Sequence, residues 1–347
     1  MKIAQVAPLI ERVPPEAYGG TERVVSYLTE ALAAQGHEVT LFASGDSRTA
    51  ATLVPMSRRS LRGDPARPDW LMRHVMMVDR VFEQAARFDV IHFHIDFLHY
   101  PLAQRSATPS VTTMHGRLDL PELRPLHAHF RRHPLVSISH HQRLPLPDAH
   151  WCATVHHGLP HDLYRFHEQP GDYFVFLGRL SPEKRVDRAI EIAVACGVQL
   201  RIAAKVDPVD RAYFEHDVAP LLAHPLVHFI GEVGDREKND LLGNARALLF
   251  PIDWPEPFGL VMIEAFACGT PVVAYRCGSV PEVLDEGVTG FIVDDQAGAV
   301  EAARRIGEID RRRCRDEFER RFTVERMASR YVEVYRALIA ERAGSLA

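Results

Sequence analysis

Several familiar signatures are missing from this 347-residue sequence, and each absence narrows what the protein can be. The five cysteines are odd in number and lack Cys-x-x-Cys spacing, which argues against a disulfide framework and against a structural zinc site. No apolar run reaches the roughly 18 residues of a transmembrane helix, and the short start MKIAQVAP is better explained as a first buried strand than as a signal peptide. We therefore expect a cytoplasmic protein with reduced thiols.

A basic excess and the common nucleotide-binding fingerprints are missing as well. The net charge is −5, so nothing indicates a nucleic-acid-binding protein, and any basic site must be local. Neither a Gly-x-Gly-x-x-Gly fingerprint nor a P-loop motif occurs, which disfavours dinucleotide dehydrogenases and P-loop enzymes. The sequence also has no Asp-x-Asp motif to support a catalytic manganese ion, so we expect no metal and no cofactor.

What the sequence does have is a regular alternation of short β-rich apolar runs and helix-length amphipathic segments, which is typical of βαβ units and parallel sheets. Hydrophobic residues make up 46% of the chain, enough to bury a sizeable core. In the first half we predict one long helix at 20–35, which stops at Gly36, and strands at 3–7, 38–43, 89–94, 110–114, 135–139 and 153–156.

A second series of the same kind follows a polar, proline-containing stretch at 164–171, which we interpret as an interdomain linker. The predicted strands are 173–178, 199–204, 227–230, 247–251, 271–275 and 290–293, and the predicted helices are 183–196, 208–222, 237–244, 258–268 and 297–305. The sequence therefore predicts an α/β protein with two doubly wound domains, whose ligands bind at the carboxyl ends of the strands.

The most informative segment is 250–274, in which a strand, a proline-rich loop and a helix follow one another. Glu256 lies just before the predicted helix and Glu264 about two turns into it. Ionised carboxylates are strong acceptors for sugar and ribose hydroxyls, and unpaired N–H groups of Gly259 and Leu260 would suit phosphate or sugar oxygens. In the alternative interpretation, Glu256 only complements the helix dipole and Glu264 is a solvated helix residue. The apolar neighbours of Glu264 argue against that alternative.

A second cluster, GRLSPEKR at 178–185, follows another predicted strand. Ser181 suits a helix N-cap and the proline after it suits the first helical position, which would place Lys184 in the first turn. A cation is unfavourable at that end of a helix unless an anion is bound nearby. Arg179 could reach the same anion, so we predict that two cations and a helix N-terminus neutralise a diphosphate. The alternative is a solvent-facing basic turn.

Further candidates lie in the first half of the chain. Gly19 and Gly20 precede the first long helix, where paired glycines would let backbone N–H groups approach a phosphate, although such a pair is often only a turn. His115 follows a predicted strand and could bond a sugar hydroxyl, although a lone histidine there is more often structural. Arg117 and Arg143 are the candidate acceptor-binding residues.

Three metal-capable side chains, His92, His94 and Asp96, alternate with apolar residues at the end of one predicted strand. They would share one face of that strand, so a metal site has to be weighed. Residues two apart on a strand rarely converge on one ion, however. A polar strand end that faces a ligand cleft is the better interpretation.

Together these residues resemble the retaining family-4 glycosyltransferases of the GT-B fold. The resemblance rests on the Glu-x7-Glu spacing, the runs PFGLVMIEAFACGTPVVA and GRLSPEKR, the VHHGLP turn at 155–160 and the paired glycines at 19–20. It covers essentially the whole chain and is most specific in the second half. The runs YGGTERVV, HGRLDLPEL and PIDWPEPFGLVMIEA are similar to a subgroup near tetrahydrobiopterin glucosyltransferases and antibiotic-decorating transferases.

The resemblance implies a domain layout and a role for each position. It implies two Rossmann-like domains that face each other across a cleft, 1–165 for the acceptor and 166–322 for the donor, with a final helix at 323–347 that crosses back to the first domain. The implied donor contacts are Arg179, Lys184 and Gly20 on the diphosphate, Glu256 and His115 on the sugar, Glu264 on the ribose, Val233 near the base, and Phe258, Gly259 and Leu260 through their backbone.

The implied activity is metal-independent transfer of a hexose, with UDP-glucose as the expected donor, to a hydroxyl of a small-molecule or saccharide acceptor, with retention of configuration. One alternative is a non-hydrolysing UDP-sugar epimerase, and another is a catalytically silent sugar-nucleotide-binding protein. A third is a transferase that associates weakly with anionic lipid. Its basic patch would consist of Arg58, Arg59, Arg62 and Arg67, weakened by the interleaved Asp64 and Asp69.

Overall fold

The computed structural model describes residues 1–16, 19–66 and 68–346. The chain divides into two compact units: Met1–Pro160 together with the segment from Val324 onward, and His161–Thr323. This division lies slightly earlier than the expected boundary at 165/166, because the segment after Pro160 is bound to the second unit. Arg315 donates hydrogen bonds to the backbone carbonyls of His161 and Tyr164, at 3.0 and 2.9 Å.

A seven-stranded parallel sheet forms the centre of the first unit, in the order β3-β2-β1-β4-β5-β6-β7. Strands β4 and β5 are buried along their whole length, which is typical of central strands in a parallel sheet that is covered on both faces. The strands are β1 (Lys2–Val6), β2 (Glu38–Ser44), β3 (Thr52–Ser57), β4 (Val90–Phe93), β5 (Ser110–Thr113), β6 (Leu135–Ser137) and β7 (Trp151–Thr154).

The helices of the first unit, before the C-terminal segment, are α1 (Gly20–Ala34), α2 (Trp70–Glu83), α3 (Tyr100–Ala103) and α4 (Leu123–His129). Helix α1 buries Val24, Val25, Leu28 and Leu32, an apolar stripe with helical spacing. It ends near Gly36, which has a φ of +82° and lies in the left-handed region that favours glycine.

In this unit β3 and the helices α2, α3 and α4 have no counterpart among the predicted segments, and α3 and α4 are short, at 4 and 7 residues. Strand β3 contains Pro55 and is only partly buried, because it is the edge strand of the sheet, where an alternating apolar signal is weak. Helix α2 buries Met77, Val78 and Val81 but leaves Val75 and other apolar residues exposed, which obscures its helical periodicity.

The second unit has a six-stranded parallel sheet in the order β10-β9-β8-β11-β12-β13. Both sheets therefore reverse their strand order once, between β1 and β4 in the first unit and between β8 and β11 in the second. The predicted pair of doubly wound parallel sheets is confirmed. The strands are β8 (Tyr173–Arg179), β9 (Gln199–Lys205), β10 (Val227–Gly231), β11 (Ala245–Phe250), β12 (Val272–Tyr275) and β13 (Gly290–Val293).

The helices of the second unit separate these strands. The segment predicted as one helix at 208–222 is irregular, with 3-10 turns at both ends and a π-helical turn at Phe214–Val218. The α-helices are α5 (Val186–Cys196), α6 (Arg211–Tyr213), α7 (Asp235–Gly243), α8 (Leu260–Cys268), α9 (Val280–Val283), α10 (Gln296–Arg305) and α11 (Arg311–Arg321).

The last helix, α12 (Val324–Leu346), belongs to the first unit, as the resemblance implied. The backbone N–H of Val324 donates to the carbonyl of Leu159 at 2.8 Å, and Arg342 donates to the carbonyls of Ser106 and Ala107. The hydroxyl of Tyr335 accepts a hydrogen bond from Gln5 of β1, at 3.0 Å. Both ends of α12 and its centre are thus tied to the first unit.

Candidate active site

The candidate site of the second unit lies where two neighbouring strands end. Strands β8 and β11 are adjacent, and the strand order reverses between them, which is where open parallel sheets bind their ligands. The loops after these strands meet, because the backbone N–H of Asp253 donates to the carbonyl of Glu183 at 2.8 Å. The topology therefore brings together the two segments that the sequence singled out, 178–185 and 250–259.

Lys184 and Glu256 form an ion pair at this junction. The ammonium group of Lys184 contacts Glu256 Oε2, which also accepts a hydrogen bond from the indole of Trp254 at 3.0 Å. The Lys184 ammonium lies 4.8 Å from the centre of the Trp254 ring, within range of a cation–π interaction. Glu256 is buried and Lys184 largely so. A ligand could therefore bind both residues at once, with an anionic group on Lys184 and a hydroxyl on Glu256.

Arg179 also faces carboxylates. Its guanidinium lies 2.5 Å from Glu183 and 3.2 Å from Asp210, which lies in the irregular helical segment after β9. Burial raises the pKa of Asp210, and the charge of Arg179 opposes that rise. Both predicted phosphate-binding cations are thus paired with acidic side chains.

The expectation that Lys184 lies in the first turn of an α-helix is wrong. Pro182–Lys184 form a 3-10 turn, and helix α5 begins only at Val186, after Arg185. Arg185 adopts the left-handed conformation with a φ of +53° and forms ion pairs with Asp187 and Asp253, at 2.7 and 3.0 Å. This break in the helix directs Lys184 toward the loop that carries Glu256.

The Glu256 loop packs closely against Gly278 and Ser279. The hydroxyl of Ser279 donates to the carbonyl of Phe258 at 2.8 Å, and its N–H donates to the carbonyl of Glu256 at 2.9 Å. A Cβ atom on Gly278 would lie 2.3 Å from the backbone nitrogen of Glu256, so only glycine permits this approach. Gly259, with a φ of +79°, then precedes helix α8, whose first N–H groups have no partner within the helix.

We expect the Gly278→Ala substitution to displace the Glu256 loop and to weaken donor binding at least tenfold, because the clash is with backbone atoms that cannot rotate away. Gly287→Ala is the matched control. Gly287 also has a positive φ, +70°, but an added Cβ there would meet no atom within 4 Å. Isothermal titration with a nucleotide sugar, together with melting temperatures, compares the two variants. Equal losses in both would show that backbone strain, and not the close approach, sets the effect.

Glu264 forms a second buried pair on helix α8. Its carboxylate accepts hydrogen bonds from the ammonium of Lys238, at 2.9 Å, and from the hydroxyl of Tyr164, at 3.3 Å. Glu264 is only 4% exposed, so the alternative of a solvated helix residue is wrong. Lys238 lies on α7, and the half-buried Val233 lies in the short connection between β10 and α7. The segment expected to contact a base is therefore continuous with the partner of Glu264.

In the first unit, Gly19 immediately precedes α1 and has a φ of +145°. A Cβ atom on it would lie 2.9 Å from Cβ of Pro15, so the loop closes tightly on itself. The N–H of Arg23 donates to the carbonyl of Gly19, at 3.1 Å, while Gly20 is the first residue of the helix. Both glycines thus stand at the start of a 15-residue helix, as an anion-binding role would require.

His115 takes part in a cluster of histidines at the carboxyl ends of β4 and β5. It lies 2.8 Å from His94, and its ring stacks against His157 at 5.4 Å between centroids. Burial lowers the pKa of His115 to about 3 and keeps the pKa of His94 well below its ordinary value, so both rings are neutral at pH 7. His115 is therefore a hydrogen-bonding group at neutral pH and not a cation.

His92 and His94 are held by hydrogen bonds and do not converge on an ion. Both ring nitrogens of His92 are engaged, by Tyr335 and by Thr113, each at 2.7 Å, and His94 bonds Gln5 as well as His115. Asp96 is exposed beyond the strand, with a φ of +58°. Among the described residues, no group of three His, Cys, Asp or Glu side chains is placed to hold a metal ion.

The two candidate acceptor-binding arginines have local partners. Arg117 forms a two-point ion pair with Asp119, both contacts being 2.7 Å. Arg143 donates to the hydroxyl of Thr154 at 3.2 Å and lies over the ring of Trp151. Their contact with an acceptor stays a prediction.

The arginine patch considered for lipid binding is only partly described. Arg58 and Arg59 are exposed, whereas Arg62 pairs with Glu11 at 3.0 Å. Arg67 lies outside the residues that the structure describes. None of the helices in the described ranges combines the length and the apolar character needed to cross a membrane.

Two family models match the chain. The model of glycosyl transferases group 1 matches residues 165–321, and the model of Glycosyltransferase Family 4 matches residues 18–141. The chain belongs to the family-4 glycosyltransferases. The matched ranges include Lys184, Glu256, Lys238 and Glu264 in the second unit, and His94 and His115 in the first. The roles of these residues in donor binding stay predictions.

Known glycosyltransferases share both sequence and fold with this family member. A probable sucrose-phosphate synthase of Thermosipho melanesiensis is 28% identical over 182 residues, which are 50% of this chain and 42% of that protein. The chain thus spans less than half the length of this curated relative. The crystal structure of AviGT4, a glycosyltransferase of avilamycin A biosynthesis, is 26% identical with a TM-score of 0.76 and 98% coverage of both chains.

A third comparison adds a solved complex. The Anabaena protein HepE, crystallised with UDP-glucose, has a TM-score of 0.75 and is 19% identical, with 97% of this chain and 100% of that chain covered. At that identity the likeness shows the fold alone, which is the GT-B arrangement of two parallel-sheet domains. The predicted glycosyltransferase family and GT-B fold are therefore confirmed.

Three residues of the site were not predicted from the sequence: Trp254, Asp210 and Lys238. Trp254 lies in the segment that was singled out, but nothing in the sequence shows that its indole turns back to Glu256. Asp210 and Lys238 are far along the chain from Arg179 and Glu264, which they contact. A search for cations on helices adjacent to α8 would have found Lys238 once the strand order was known.

Proposed function

We propose that this glycosyltransferase moves a hexose, glucose in the first instance, from a UDP-sugar to a hydroxyl of a small-molecule or saccharide acceptor, with retention of anomeric configuration and without a metal ion. The observation that carries the proposal is the Lys184–Glu256 pair, which lies where the loops after β8 and β11 meet, with Trp254 against it. One cation for phosphate and one carboxylate for hydroxyls, side by side, match the two halves of a sugar diphosphate.

The donor's phosphates would take the place of the acidic partners of the cations. Lys184 would exchange Glu256 for a phosphate oxygen, and Arg179 would exchange Glu183 or Asp210 in the same way. Charge-assisted hydrogen bonds to phosphate are strong, and the unpaired N–H groups at the start of α8 add a favourable dipole. Glu256, released from Lys184, would then accept hydrogen bonds from sugar hydroxyls.

The nucleotide would bind beside the second pair. Glu264 is a buried carboxylate with acceptor capacity beyond Lys238 and Tyr164, which suits a ribose diol. Val233 and the start of α7 would lie against the base. UDP is favoured because HepE was crystallised with UDP-glucose, and glucose is the sugar of that complex.

The transfer would proceed by displacement on one face of the sugar. The bond between the anomeric carbon and the β-phosphate oxygen breaks, the acceptor oxygen bonds to the anomeric carbon from the same face, and its proton passes to the departing phosphate oxygen. Negative charge grows on the phosphate during this step. Arg179, Lys184 and the N–H groups of α8 would stabilise it, an effect that is often the largest in such catalysis. Three fixed positive groups would do this without a divalent ion.

A thermal-shift panel of UDP-, GDP- and ADP-sugars in excess EDTA tests the donor and the metal independence together. A ligand at about one hundred times its Kd stabilises a protein by about 2.7 kcal/mol, so the correct donor should raise the melting temperature clearly. Proton NMR of the product then reads the anomeric configuration. An epimerised sugar released without acceptor would support the epimerase, and stabilisation without any turnover would support a silent binding protein. Stabilisation only after Mg²⁺ or Mn²⁺ is restored would contradict metal independence.

The role of Glu264 gives a further prediction. Glu264→Gln should weaken UDP binding by about tenfold, because the ribose diol loses a charged acceptor worth roughly 1.5 kcal/mol. The variant should bind 2′,3′-dideoxy-UDP as well as the wild type does, since that ligand has no diol. Glu191→Gln, an exposed glutamate on α5, is the control. Titration calorimetry with both nucleotides checks this, and an equal loss for both would remove Glu264 from the ribose site.

A further inference from the structure

A chain of hydrogen bonds runs through the first unit from α12 to His115. Gln5 Nε2 donates to the hydroxyl of Tyr335 at 3.0 Å, and Gln5 Oε1 lies 2.8 Å from His94 Nε2. His94 Nδ1 lies 2.8 Å from His115 Nε2. Apart from His115, which is half-buried, these side chains are buried. Water therefore cannot easily replace any link between Tyr335 and His94.

Each link in this chain has only one consistent direction once the Gln5 amide is oriented. The rings of His94 and His115 are neutral, so each carries a single N–H. Gln5 presents its carbonyl oxygen to His94, so the proton of His94 must be on Nε2. His94 Nδ1 is then a lone pair, and it accepts its hydrogen bond from the Nε2–H of His115.

The other side of the chain agrees with this direction. The Tyr335 hydroxyl accepts from Gln5 and therefore directs its own proton to His92 Nδ1, at 2.7 Å. The single N–H of His92 is then on Nε2, from which it donates to Thr113 Oγ1 at 2.7 Å. Thr113 is linked in turn to the hydroxyl of Tyr331, at 2.9 Å. Each hydrogen bond from Gln5 to Thr113 thus has one donor and one acceptor, with no clash of two protons.

These bond directions determine the protonation of Nδ1, the ring nitrogen of His115 that does not face His94. With its proton on Nε2, Nδ1 carries a lone pair, and it has no hydrogen-bond partner among the residues that the structure describes. We propose that His94 is a positioning residue, which fixes His115 in the Nε2–H tautomer so that Nδ1 accepts a hydrogen bond from a substrate hydroxyl. That the hydroxyl belongs to a sugar donor or its acceptor rests on the proposed function.

The opposite tautomer would give His115 the opposite selectivity. A reversed Gln5 amide would put a proton on His94 Nδ1 and leave His115 with Nδ1–H, which donates to phosphate or carbonyl oxygens. The direction is therefore set at Gln5 and Tyr335, which are separated from His115 by His94 along the chain of bonds. Helix α12 contributes to the chemistry of the site through the hydroxyl of Tyr335.

The tautomer can be read directly by NMR. Wild-type protein labelled with ¹⁵N-histidine gives different nitrogen shifts for protonated and unprotonated ring nitrogens, and the signals absent from His115→Gln assign the residue. We expect His115 to show a protonated Nε2 and an unprotonated Nδ1 at pH 7. Protonation of Nδ1, or of both nitrogens, would overturn the proposal. This measurement needs no donor, so it stands even if the protein transfers no sugar.

Kinetics of two substitutions test the consequence for turnover. His94→Asn can keep an oxygen acceptor where Nδ1 lies, whereas His94→Phe fills the space without one. We expect His94→Phe to lower kcat about tenfold or more, and His94→Asn to recover most of that loss, with the donor KM changed little in both. Equal loss in the two variants would indicate packing alone and contradict the proposal. If His94→Phe fails to fold, the His115 tautomer measured by NMR in the wild type still tests the proposal.

Discussion

Replacing Lys184 by alanine is expected to lower kcat for sugar transfer by about 10²–10³-fold, because the departing diphosphate loses a fixed cation where its charge develops. The donor KM should change less than kcat, since Arg179 and the N–H groups of α8 still bind the phosphates in the ground state. Initial rates over a range of donor concentrations separate the two effects. The expectation follows from the place of Lys184 after β8, where its ammonium contacts the carboxylate proposed to hold the sugar.

Lys205→Ala is the matched control for this experiment. Lys205 ends β9, the strand next to β8, and pairs with Asp207 at 3.1 Å, so its removal takes the same charge from the same edge of the sheet. It should leave turnover within about twofold of the wild type, as is usual for a charge outside the reacting groups. Equal losses in Lys184→Ala and Lys205→Ala would mean that general electrostatics, and not a specific contact, explains the effect.

Stability has to be separated from catalysis in the Lys184 variant. Without its ammonium, the buried carboxylate of Glu256 loses its cation and keeps the hydrogen bond from the indole of Trp254, and an under-paired buried charge costs about 1–3 kcal/mol. Combining Lys184→Ala with Glu256→Gln removes that charge, so the melting temperature should recover. Turnover should not recover, because both proposed contacts to the donor are then missing.

The elements on which this site is built could be predicted because each has a strong local signal. The apolar runs that became β8 and β11 are bounded by Gly and Pro, and Glu264 stands out on an otherwise apolar helix. The edge strand β3 and helix α2 lack such a signal. The edge strand has little buried area, and the helix exposes apolar side chains, among them Trp70 and Met76. Which side chains of these two elements are buried depends on the three-dimensional packing. Sequence periodicity reflects that burial only approximately.

The pairing of the site residues could not be predicted from the sequence. Lys184 was expected to lie in the first turn of a helix and to face an anion there. The left-handed conformation of Arg185 interrupts the helix instead and turns Lys184 toward Glu256. In that conformation Arg185 forms ion pairs with Asp187 and Asp253, and Asp253 lies in the loop after another strand, β11. Likewise, the tautomer of His115 depends on Gln5 and Tyr335, which lie at opposite ends of the chain. Such contacts follow from the strand order and not from local spacing.

The second large expected effect is acid unfolding of the first unit. Five of its buried histidines have a pKa well below the ordinary value of 6.5, chiefly because burial penalises the charged ring, and for His133 the pKa falls to about 3. They are His92, His94, His99, His133 and His157, each at most 5% exposed. In the folded state these rings stay neutral far below pH 6.5.

The direction of the pH dependence follows from where the protons bind. Between the folded pKa and 6.5, the unfolded chain binds protons that the folded chain does not, so the free energy of unfolding falls as the pH falls through this window. Above pH 6.5 the contribution is fully present. Each such histidine removes up to about 1.4 kcal/mol per pH unit, and five together up to about 7 kcal/mol per unit. Because a domain is typically stable by about 5–15 kcal/mol, we expect the first unit to unfold between about pH 4.5 and 5.5.

Hydrogen exchange followed by mass spectrometry at several pH values can report the two units separately, because peptides from 1–160 and 161–323 are distinguishable. Peptides of β4, β5 and α12 should lose protection first, and those of β8 and β11 later. Simultaneous loss in both units, or full protection of the first unit at pH 4.5, would contradict the expectation.

His99 allows the cause to be tested at one residue. Its ring stacks on Phe93 with centroids 3.7 Å apart, its Nε2 lies 2.7 Å from the hydroxyl of Thr112, and its Nδ1 is buried without a hydrogen-bond partner in the described structure. Phenylalanine can keep the stacking but cannot bind a proton. His99→Phe should therefore lower the slope of unfolding free energy against pH by about 1.4 kcal/mol per unit below pH 6.5, even if stability at pH 7 falls. His129→Gln, at an exposed position on α4, is the control and should keep the wild-type slope. If His129→Gln lowered the slope as much as His99→Phe does, surface charge and not the buried rings would explain the acid lability.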